Sequence, residues 1–275
     1  MKIRFLLTLL IAPLLAAAQQ APPSFTLACP SPASQQGLQK QYCETRDLTL
    51  PAPPAGTPLT VDARPNGSIT VRGWSGTQVR VRARVDARSA SLDDARALAK
   101  AVRISSGNNT LRAARANGSH DGWSVSYEVL VPTRTNLTLD AVNGGVTIEN
   151  VHGTMRFTTV NGPLELTGLG GDVRGKTTNG GLRIVLTGPG WEGPGFDLST
   201  VNGGVTWQIP ATYSATLLAR TTHGRITAEL PTARKQLLPK SLTATLGKGG
   251  AQLRVSTVNG GVTVQQPATP EAAQE

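Results

Sequence analysis

The sequence is organised around one short phrase that returns along its second half. The phrase is a Thr or Val, then Asn-Gly, a small residue and an apolar–polar–apolar triplet. Its copies begin at Asn143, Asn161, Asn179, Asn202 and Asn259, with a degraded copy at His223 and an outlying copy at Asn66. From Asn143 to His223 the copies start 18 to 23 residues apart. Strand-like content that recurs at a period of about 20 is typical of repeat proteins, in which stacked units share one core.

Apolar residues fall into four columns when the copies are aligned on the Asn. The columns lie six and four positions before the Asn and three and five positions after it, and in the first copy they contain Leu137, Leu139, Val146 and Ile148. The residues between these columns are mostly polar. Each unit is therefore expected to form two strands of period 2, one on either side of an Asn-Gly corner, with one apolar face.

Two architectures are compatible with this pattern. In a β-solenoid, equivalent strands of successive coils pair in parallel about 4.8 Å apart. In an antiparallel meander, each Asn-Gly would be a two-residue hairpin turn. Like residues recur at the same place in every unit, as in the column two positions before the Asn, which contains Thr159, Thr177, Thr200, Thr221 and Thr257. We favour the solenoid because stacking Asn over Asn and Thr over Thr lets amides and hydroxyls hydrogen-bond along a ladder.

The ends of the chain have other compositions. Residues 1–18 have the basic start, short apolar run and Ala-Ala-Ala end of a secretory signal peptide. Residues 19–42 are rich in Pro, Gln, Ser and Ala and are predicted to be a disordered linker, and residues 267–275 a disordered tail. Cys29 and Cys43 are the two cysteines of the chain, and in an oxidising compartment we expect them to form a disulfide.

Residues 43–134 read as a small α+β unit that caps the repeats of residues 135–266. Strands are predicted at 47–50, 59–63, 69–72, 79–85 and 123–131. Ser91 and Asp94 form a capping box that opens a helix, along which Leu92, Ala95, Leu98 and Val102 recur at helical spacing. The predicted fold class is thus mainly β: a β-solenoid-like stack of about six two-strand coils with a small N-terminal α+β cap containing one helix.

An ordered set of segments resembles a known family. CETRDLTL, LTVDARPNGSITVRGW and VRVRARV are followed by the capped helix, by WSVSYEVLVP and, near the end, by LGKGGAQLRVSTVNGGVTV. Together they resemble the bacterial "putative adhesin" domain of unknown function over residues 43–265. The resemblance implies an exported β-solenoid-like protein with an adhesive role. It implies no catalytic residues, because the family has none that are recognised.

The outward columns of the repeats are the expected place for binding. The chain carries a formal charge of +10, which falls to +8 when the two basic residues of the signal leave (27 − 2 = 25 basic against 17 acidic residues). Five basic residues would share one face of the stack: Arg156, Arg174, Lys176, Arg220 and Arg254. Such a face is either simply solvated or a track for an anionic envelope polymer or membrane surface. We expect no specific nucleic-acid partner.

Catalysis is not expected from this sequence. Acidic residues are few and scattered in the repeats, and His120, His152 and His223 lack metal-ligand spacing, so no catalytic residue, metal or cofactor is predicted. Trp191, in a Gly/Pro-rich loop, is a candidate for contact with carbohydrate, whereas Trp207 falls in an inward column and should fill the core. We interpret the chain as a non-catalytic protein of the periplasm, cell surface or medium that binds or scaffolds. The alternatives are a structural or envelope-stress accessory protein that assembles with copies of itself or an envelope partner, and a polysaccharide-active enzyme.

Overall fold

The computed structural model describes residues 23–30, 39–231 and 233–266, so the predicted signal peptide and tail lie outside the described residues. Those residues are mainly β, as predicted: they form two mixed sheets, neither closed into a barrel, and one α-helix.

The first half of the chain contains seven strands and the helix within the described residues. They are β1 (Lys40–Pro51), β2 (Leu59–Asp62), β3 (Ile69–Trp74), β4 (Gln78–Ser89), α1 (Leu92–Ala101), β5 (Arg103–Ser105), β6 (Thr110–Ala114) and β7 (Trp123–Pro132). A single 3-10 turn, Gly107–Asn109, joins β5 to β6. Strands β5 and β6 were not predicted.

The second half consists of short strands joined by corners. They are β8 (Leu137–Asp140), β9 (Val146–Glu149), β10 (His152–Thr158), β11 (Leu164–Thr167), β12 (Gly170–Asn179), β13 (Leu182–Val185), β14 (Gly195–Asn202), β15 (Val205–Gln208), β16 (Ala215–Thr221), β17 (Ile226–Glu229), β18 (Arg234–Leu238), β19 (Ser241–Leu246), β20 (Gln252–Asn259) and β21 (Val262–Gln265).

The strands alternate between two sheets that enclose the core. Sheet I has the order β1-β4-β7-β3-β9-β11-β13-β15-β21-β17, and sheet II has the order β18-β19-β16-β20-β14-β12-β10-β8-β2-β6-β5. Pairing is parallel from β7 to β17 in sheet I and from β16 to β6 in sheet II, and it is antiparallel outside these limits. Apolar side chains of both sheets point inward and form one continuous cluster of buried residues.

The register between repeats follows the predicted columns. Met155 pairs with Val173 in sheet II, and Leu164 pairs with Leu182 in sheet I. The strands before and after each Asn-Gly belong to different sheets, so the corner is not a hairpin turn. Trp207 is fully buried, which confirms its predicted place in the core.

The order of the units differs from their order in the chain. Strands β20 and β21, from the copy at Asn259, lie between β14–β15 and β16–β17. The strands of the copy at Asn66 also belong to the two sheets, since β2 pairs with β8 and β3 pairs with β9. Strands from both sides of the predicted boundary at residue 134 therefore share both sheets, and a separate cap domain remains a prediction.

The corners are tied together by two kinds of hydrogen bond. Each Asn Nδ2 donates to the Oδ1 of the preceding Asn at 2.8–2.9 Å, along a series that we call the Asn ladder: Asn66, Asn143, Asn161, Asn179, Asn202 and Asn259. The expected ladder of threonine hydroxyls is wrong. Thr177 Oγ1, for example, donates to Gly162 O of the adjacent corner at 2.8 Å, because the buried hydroxyl faces that carbonyl.

The predicted linker over residues 19–42 includes residues that the structure describes, at 23–30 and from 39 onward. Residues 23–30 have no regular secondary structure, and β1 already begins at Lys40. Glu128, which is 1% exposed, accepts hydrogen bonds from the backbone N–H groups of Thr26 and Leu27 at 2.8 and 2.6 Å and also pairs with Arg72. A buried carboxylate requires such partners, so this contact orders a segment whose composition is typical of linkers.

The disulfide and the helix agree with the sequence, with one exception. Cys29 Sγ lies 1.99 Å from Cys43 Sγ, so this bond connects the N-terminal segment to β1. Ser91 caps α1, accepting a hydrogen bond from the Asp94 N–H at 3.1 Å. Ala95 and Ala99 bury the inner face of the helix, whereas Leu92, which was predicted to lie on that face, is exposed.

Candidate functional site

The basic residues of sheet II lie in two rows that differ in their neighbours. The outer arginine row lies five positions before the Asn. In it, residues on neighbouring strands stand opposite each other: Arg156 opposite Arg174, Arg174 opposite Asp197, and Asp197 opposite Arg254. Arg156 Nη2 lies 2.5 Å from Asp172 Oδ2, and Arg174 Nε lies 3.6 Å from Asp172 Oδ1. Two aspartates thus lie beside the three arginines of this row, and a track for an anionic polymer remains a prediction.

The second row, three positions before the Asn, lines a groove of about 940 Å³ across sheet II. The row runs through Lys176, Ser199, Ser256 and Arg220 on adjacent strands. At a strand spacing of about 4.8 Å, Lys176 and Arg220 are roughly 14 Å apart across the strands of sheet II. Two long basic side chains therefore flank two short hydroxyl side chains, which leaves the middle of the groove open.

The other side of the groove consists of the residues directly before each Asn. They are Val160, Thr178, Val201, Val258 and Thr222. The valines are 38–40% exposed and account for three of the six exposed large apolar side chains in the described part of the chain. Exposed apolar side chains that cluster beside polar groups mark interaction surfaces more often than scattered ones do.

The corner explains why these side chains point outward. The threonine two positions before Asn161, Asn179, Asn202 and Asn259 is buried, and its hydroxyl donates to a glycine carbonyl of the adjacent corner, as Thr200 Oγ1 does to Gly180 O at 2.7 Å. Since side chains alternate along a strand, the residues on either side of that threonine must face solvent. The groove is therefore a product of the repeat itself.

The basic groups of the groove are available to a ligand. Neither Lys176 nor Arg220 forms an ion pair with any described residue. Lys240, on the turn between β18 and β19, also lines the groove and donates to Gly224 O at 2.6 Å. Three cations, several hydroxyls and three apolar side chains form a surface that could hold an anionic chain bearing hydroxyl groups.

The structure places Trp191 against the core, and a contact of its ring with sugars remains a prediction. Its ring is partly buried, packs edge-to-face on Phe196 at 5.2 Å, and its Nε1 donates to Gly171 O at 2.9 Å. The Gly/Pro-rich loop folds the indole back onto the core instead of presenting it to solvent.

A second polar cluster surrounds Glu192. Arg134 Nη2 lies 2.7 Å from Glu192 Oε1, and His152 Nδ1 lies 3.0 Å from Glu192 Oε2. The pKa of the Glu192 carboxyl lies below its ordinary value, mainly because Arg134 donates a hydrogen bond to it and to a smaller extent because of the charge of His152. Exposed ion pairs of this kind usually contribute little to stability and need no functional explanation.

In the residues that the structure covers, no group of three or more His, Cys, Asp or Glu is placed to hold a metal ion.

Sequence reasoning found part of the groove and missed the rest. Lys176 and Arg220 were predicted as binding residues. The other lining residues were not: Val160, Val201, Val258, Ser199, Ser256 and Lys240. The sequence did contain a signal for the valines, because the position before the Asn is Val or Thr in every copy of the second half.

Across residues 23–30, 39–231 and 233–266, no helix is long and apolar enough to cross a bilayer.

No protein-family model and no curated protein matches this chain. Several solved structures are similar to it. A "putative cell adhesion protein" from Clostridium sporogenes is 10% identical, with a TM-score of 0.44, over 81% of this chain and 100% of that one. A "putative adhesin" from Bacteroides fragilis is 14% identical, with a TM-score of 0.34, over 82% and 97%. A "putative lipid binding protein" from Parabacteroides distasonis is 7% identical, with a TM-score of 0.35, over 81% and 97%. The name "putative adhesin" is also that of the family that the sequence motifs resemble, and no residue role is transferred from these structures.

Proposed function

We propose that this chain is a non-catalytic, exported protein of the cell envelope or surface that binds an anionic glycan along the groove of sheet II. In this proposal the parallel part of the two sheets is a β-solenoid, and its regular outer face is the binding surface. The observation that carries the proposal is that Lys176 and Arg220, on either side of Ser199 and Ser256 in the groove, have no ion-pair partner among the described residues.

The chemistry of the groove fits a carboxylate-bearing sugar chain. Lysine and arginine can each form charge-assisted hydrogen bonds to a carboxylate, and the two cations are spaced for different sugars of one chain. Ser199 and Ser256 can bond sugar hydroxyls, while Val201 and Val258 offer methyl groups to the apolar face of a sugar ring. A purely electrostatic surface would need neither the serines nor the valines.

The test compares retention of the protein on immobilised polygalacturonate, on neutral dextran, and on vesicles of anionic phospholipid. We expect retention on polygalacturonate alone, weakening as salt is raised. The double variant Lys176→Glu, Arg220→Glu should bind about tenfold or more weakly, because each lost charge-assisted bond contributes about 1.5–3 kcal/mol. Retention on vesicles instead would assign the groove to a lipid head group.

Two control variants separate the groove from general surface charge. Arg234→Glu with Lys248→Glu makes the same change in net charge at exposed positions outside the groove, and it should leave retention nearly unchanged. Val201→Trp adds bulk to the groove wall without changing charge and should weaken binding. If the two double variants weaken retention equally while Val201→Trp has no effect, the groove is not the site.

A second candidate function is self-assembly through β18, which is one of the two edge strands of sheet II, the other being β5. All five of its residues are exposed, and Leu237 and Leu238 are 45% and 49% exposed. An exposed edge with apolar side chains is a template for strand pairing with a second copy. Light scattering over a range of concentrations should then show a mass that rises with concentration, and Leu238→Lys should keep the protein monomeric. A constant mass at all concentrations would eliminate this candidate.

A further inference from the structure

The Asn ladder has two chemically different ends. In the interior corners the glycine after each Asn donates its backbone N–H to the backbone carbonyl of the next Asn; Gly162 N, for example, lies 3.0 Å from Asn179 O. The same bond exists at Gly144, Gly180 and Gly203 at 3.0–3.1 Å, and at Gly67, at the first end, at 3.2 Å.

At the other end, this bond is missing. The next corner has His223 in place of Asn, and within the described part of the chain the Gly260 N–H has no hydrogen-bond acceptor. Asn259 Nδ2 still donates to Asn202 Oδ1 at 2.8 Å, but no described donor reaches Asn259 Oδ1. The Asn259 side chain is exposed, so water has access to it.

This arrangement matters because an Asn followed by Gly can lose its side-chain amide. The backbone nitrogen of the glycine attacks Cγ of the asparagine, a nitrogen–carbon bond forms, the Cγ–Nδ2 bond breaks, and ammonia leaves with the proton that the glycine nitrogen has lost. Water then opens the cyclic imide to aspartate or isoaspartate. A glycine nitrogen whose N–H is held in a hydrogen bond must first be released, and glycine offers no side chain to hinder the attack.

We propose that Asn259 is a site of spontaneous deamidation in the folded protein and that the other Asn-Gly corners of the ladder are protected by their stacking. Five corners hold the glycine N–H in a hydrogen bond, and in the four interior ones both neighbouring units must separate before the nitrogen can turn toward Cγ. Only at the end next to His223 is the attacking nitrogen already free among the described corners.

The chain supplies its own controls, because six corners share the dipeptide Asn-Gly. The folded protein is incubated in mildly alkaline buffer, and deamidation at each corner is followed by peptide mapping with mass spectrometry. We expect Asn259 to react about tenfold or more faster than the interior corners, since a tenfold ratio corresponds to about 1.4 kcal/mol, within the range of one amide hydrogen bond. In concentrated urea the six rates should become similar.

A variant tests the cause. His223→Asn restores the repeat residue at the next position of the ladder, and it should slow deamidation of Asn259 toward the interior rate, with unchanged circular dichroism showing that the fold is kept. The proposal is overturned if any of Asn143, Asn161, Asn179 or Asn202 reacts as fast as Asn259 in the folded protein. It is equally overturned if folded His223→Asn loses the Asn259 amide at the rate of the unmodified chain.

Discussion

Replacing Gly180 by alanine tests how closely the Asn-Gly corners are stacked. A Cβ atom at this position would lie 2.0 Å from the carbonyl oxygen of Gly162 and 2.5 Å from its carbonyl carbon, in the adjacent corner. These are backbone atoms of the corner between β10 and β11, and they cannot rotate away as a side chain can. The two corners would have to separate by roughly 1 Å or more to reach ordinary van der Waals distance.

The size of the effect follows from the bonds that join these two corners. Such a separation would stretch the bond from Gly162 N to Asn179 O, now 3.0 Å, and the bond from Thr177 Oγ1 to Gly162 O, now 2.8 Å. Two weakened bonds contribute about 1 kcal/mol each, and overpacking adds about 1–3 kcal/mol. Alanine recovers about 0.4–1 kcal/mol by restricting the unfolded chain. We expect Gly180→Ala to lower the free energy of unfolding by about 2–4 kcal/mol.

Gly181→Ala is the matched control, one residue along the same corner. Its Cβ would meet Gly204 O at 3.3 Å, a tight but adjustable contact, and its φ is not positive. The change in stability should stay within about 1 kcal/mol of zero. The assay is equilibrium unfolding in urea followed by circular dichroism. Equal stability of the two variants would refute the close stacking; a Gly180→Ala chain that never folds, beside a folded Gly181→Ala chain, would set only a lower limit on the predicted loss.

Two further predictions concern other contacts. Glu128→Gln should raise hydrogen exchange at the amides of Thr26 and Leu27 about tenfold or more, because bonds to a carboxylate contribute about 1.5–3 kcal/mol, and unchanged exchange would show that Glu128 does not order this segment. The hydrogen bond from Arg64 holds the pKa of the Asp62 carboxyl below its ordinary value of 3.8. The stability from this pair is therefore full above that value and is lost as the pH falls through the folded-state pKa. Arg64→Ala should flatten the acid dependence of the urea midpoint, and an identical acid dependence would argue against this coupling.

Local and periodic features could be read without coordinates. The four apolar columns placed Met155 over Val173 and Leu164 over Leu182, because a strand of period 2 that must bury one face admits one register per corner. The serine cap of α1 could also be predicted, since capping depends on residues that are close together in the chain.

The features that the sequence did not predict depend on contacts between distant residues. Every unit has a similar strand edge, so no local sequence feature predicts that the strands of the copy at Asn259 lie between those of the copies at Asn202 and His223. The composition of residues 23–30 is typical of a linker, but in the folded chain their backbone N–H groups at Thr26 and Leu27 donate to the buried Glu128 on β7.

The same reason governs the candidate site. Alignment of the repeats placed five basic residues on one face, but their environment depends on which strands become neighbours. Folding brings Asp172 against Arg156 and aligns Asp197 with Arg174, while Lys176 stays without a charged partner among the described residues. Periodicity determines which way a side chain points, because that follows from backbone geometry; the charge and shape that surround it are set only when separate units of the chain come together.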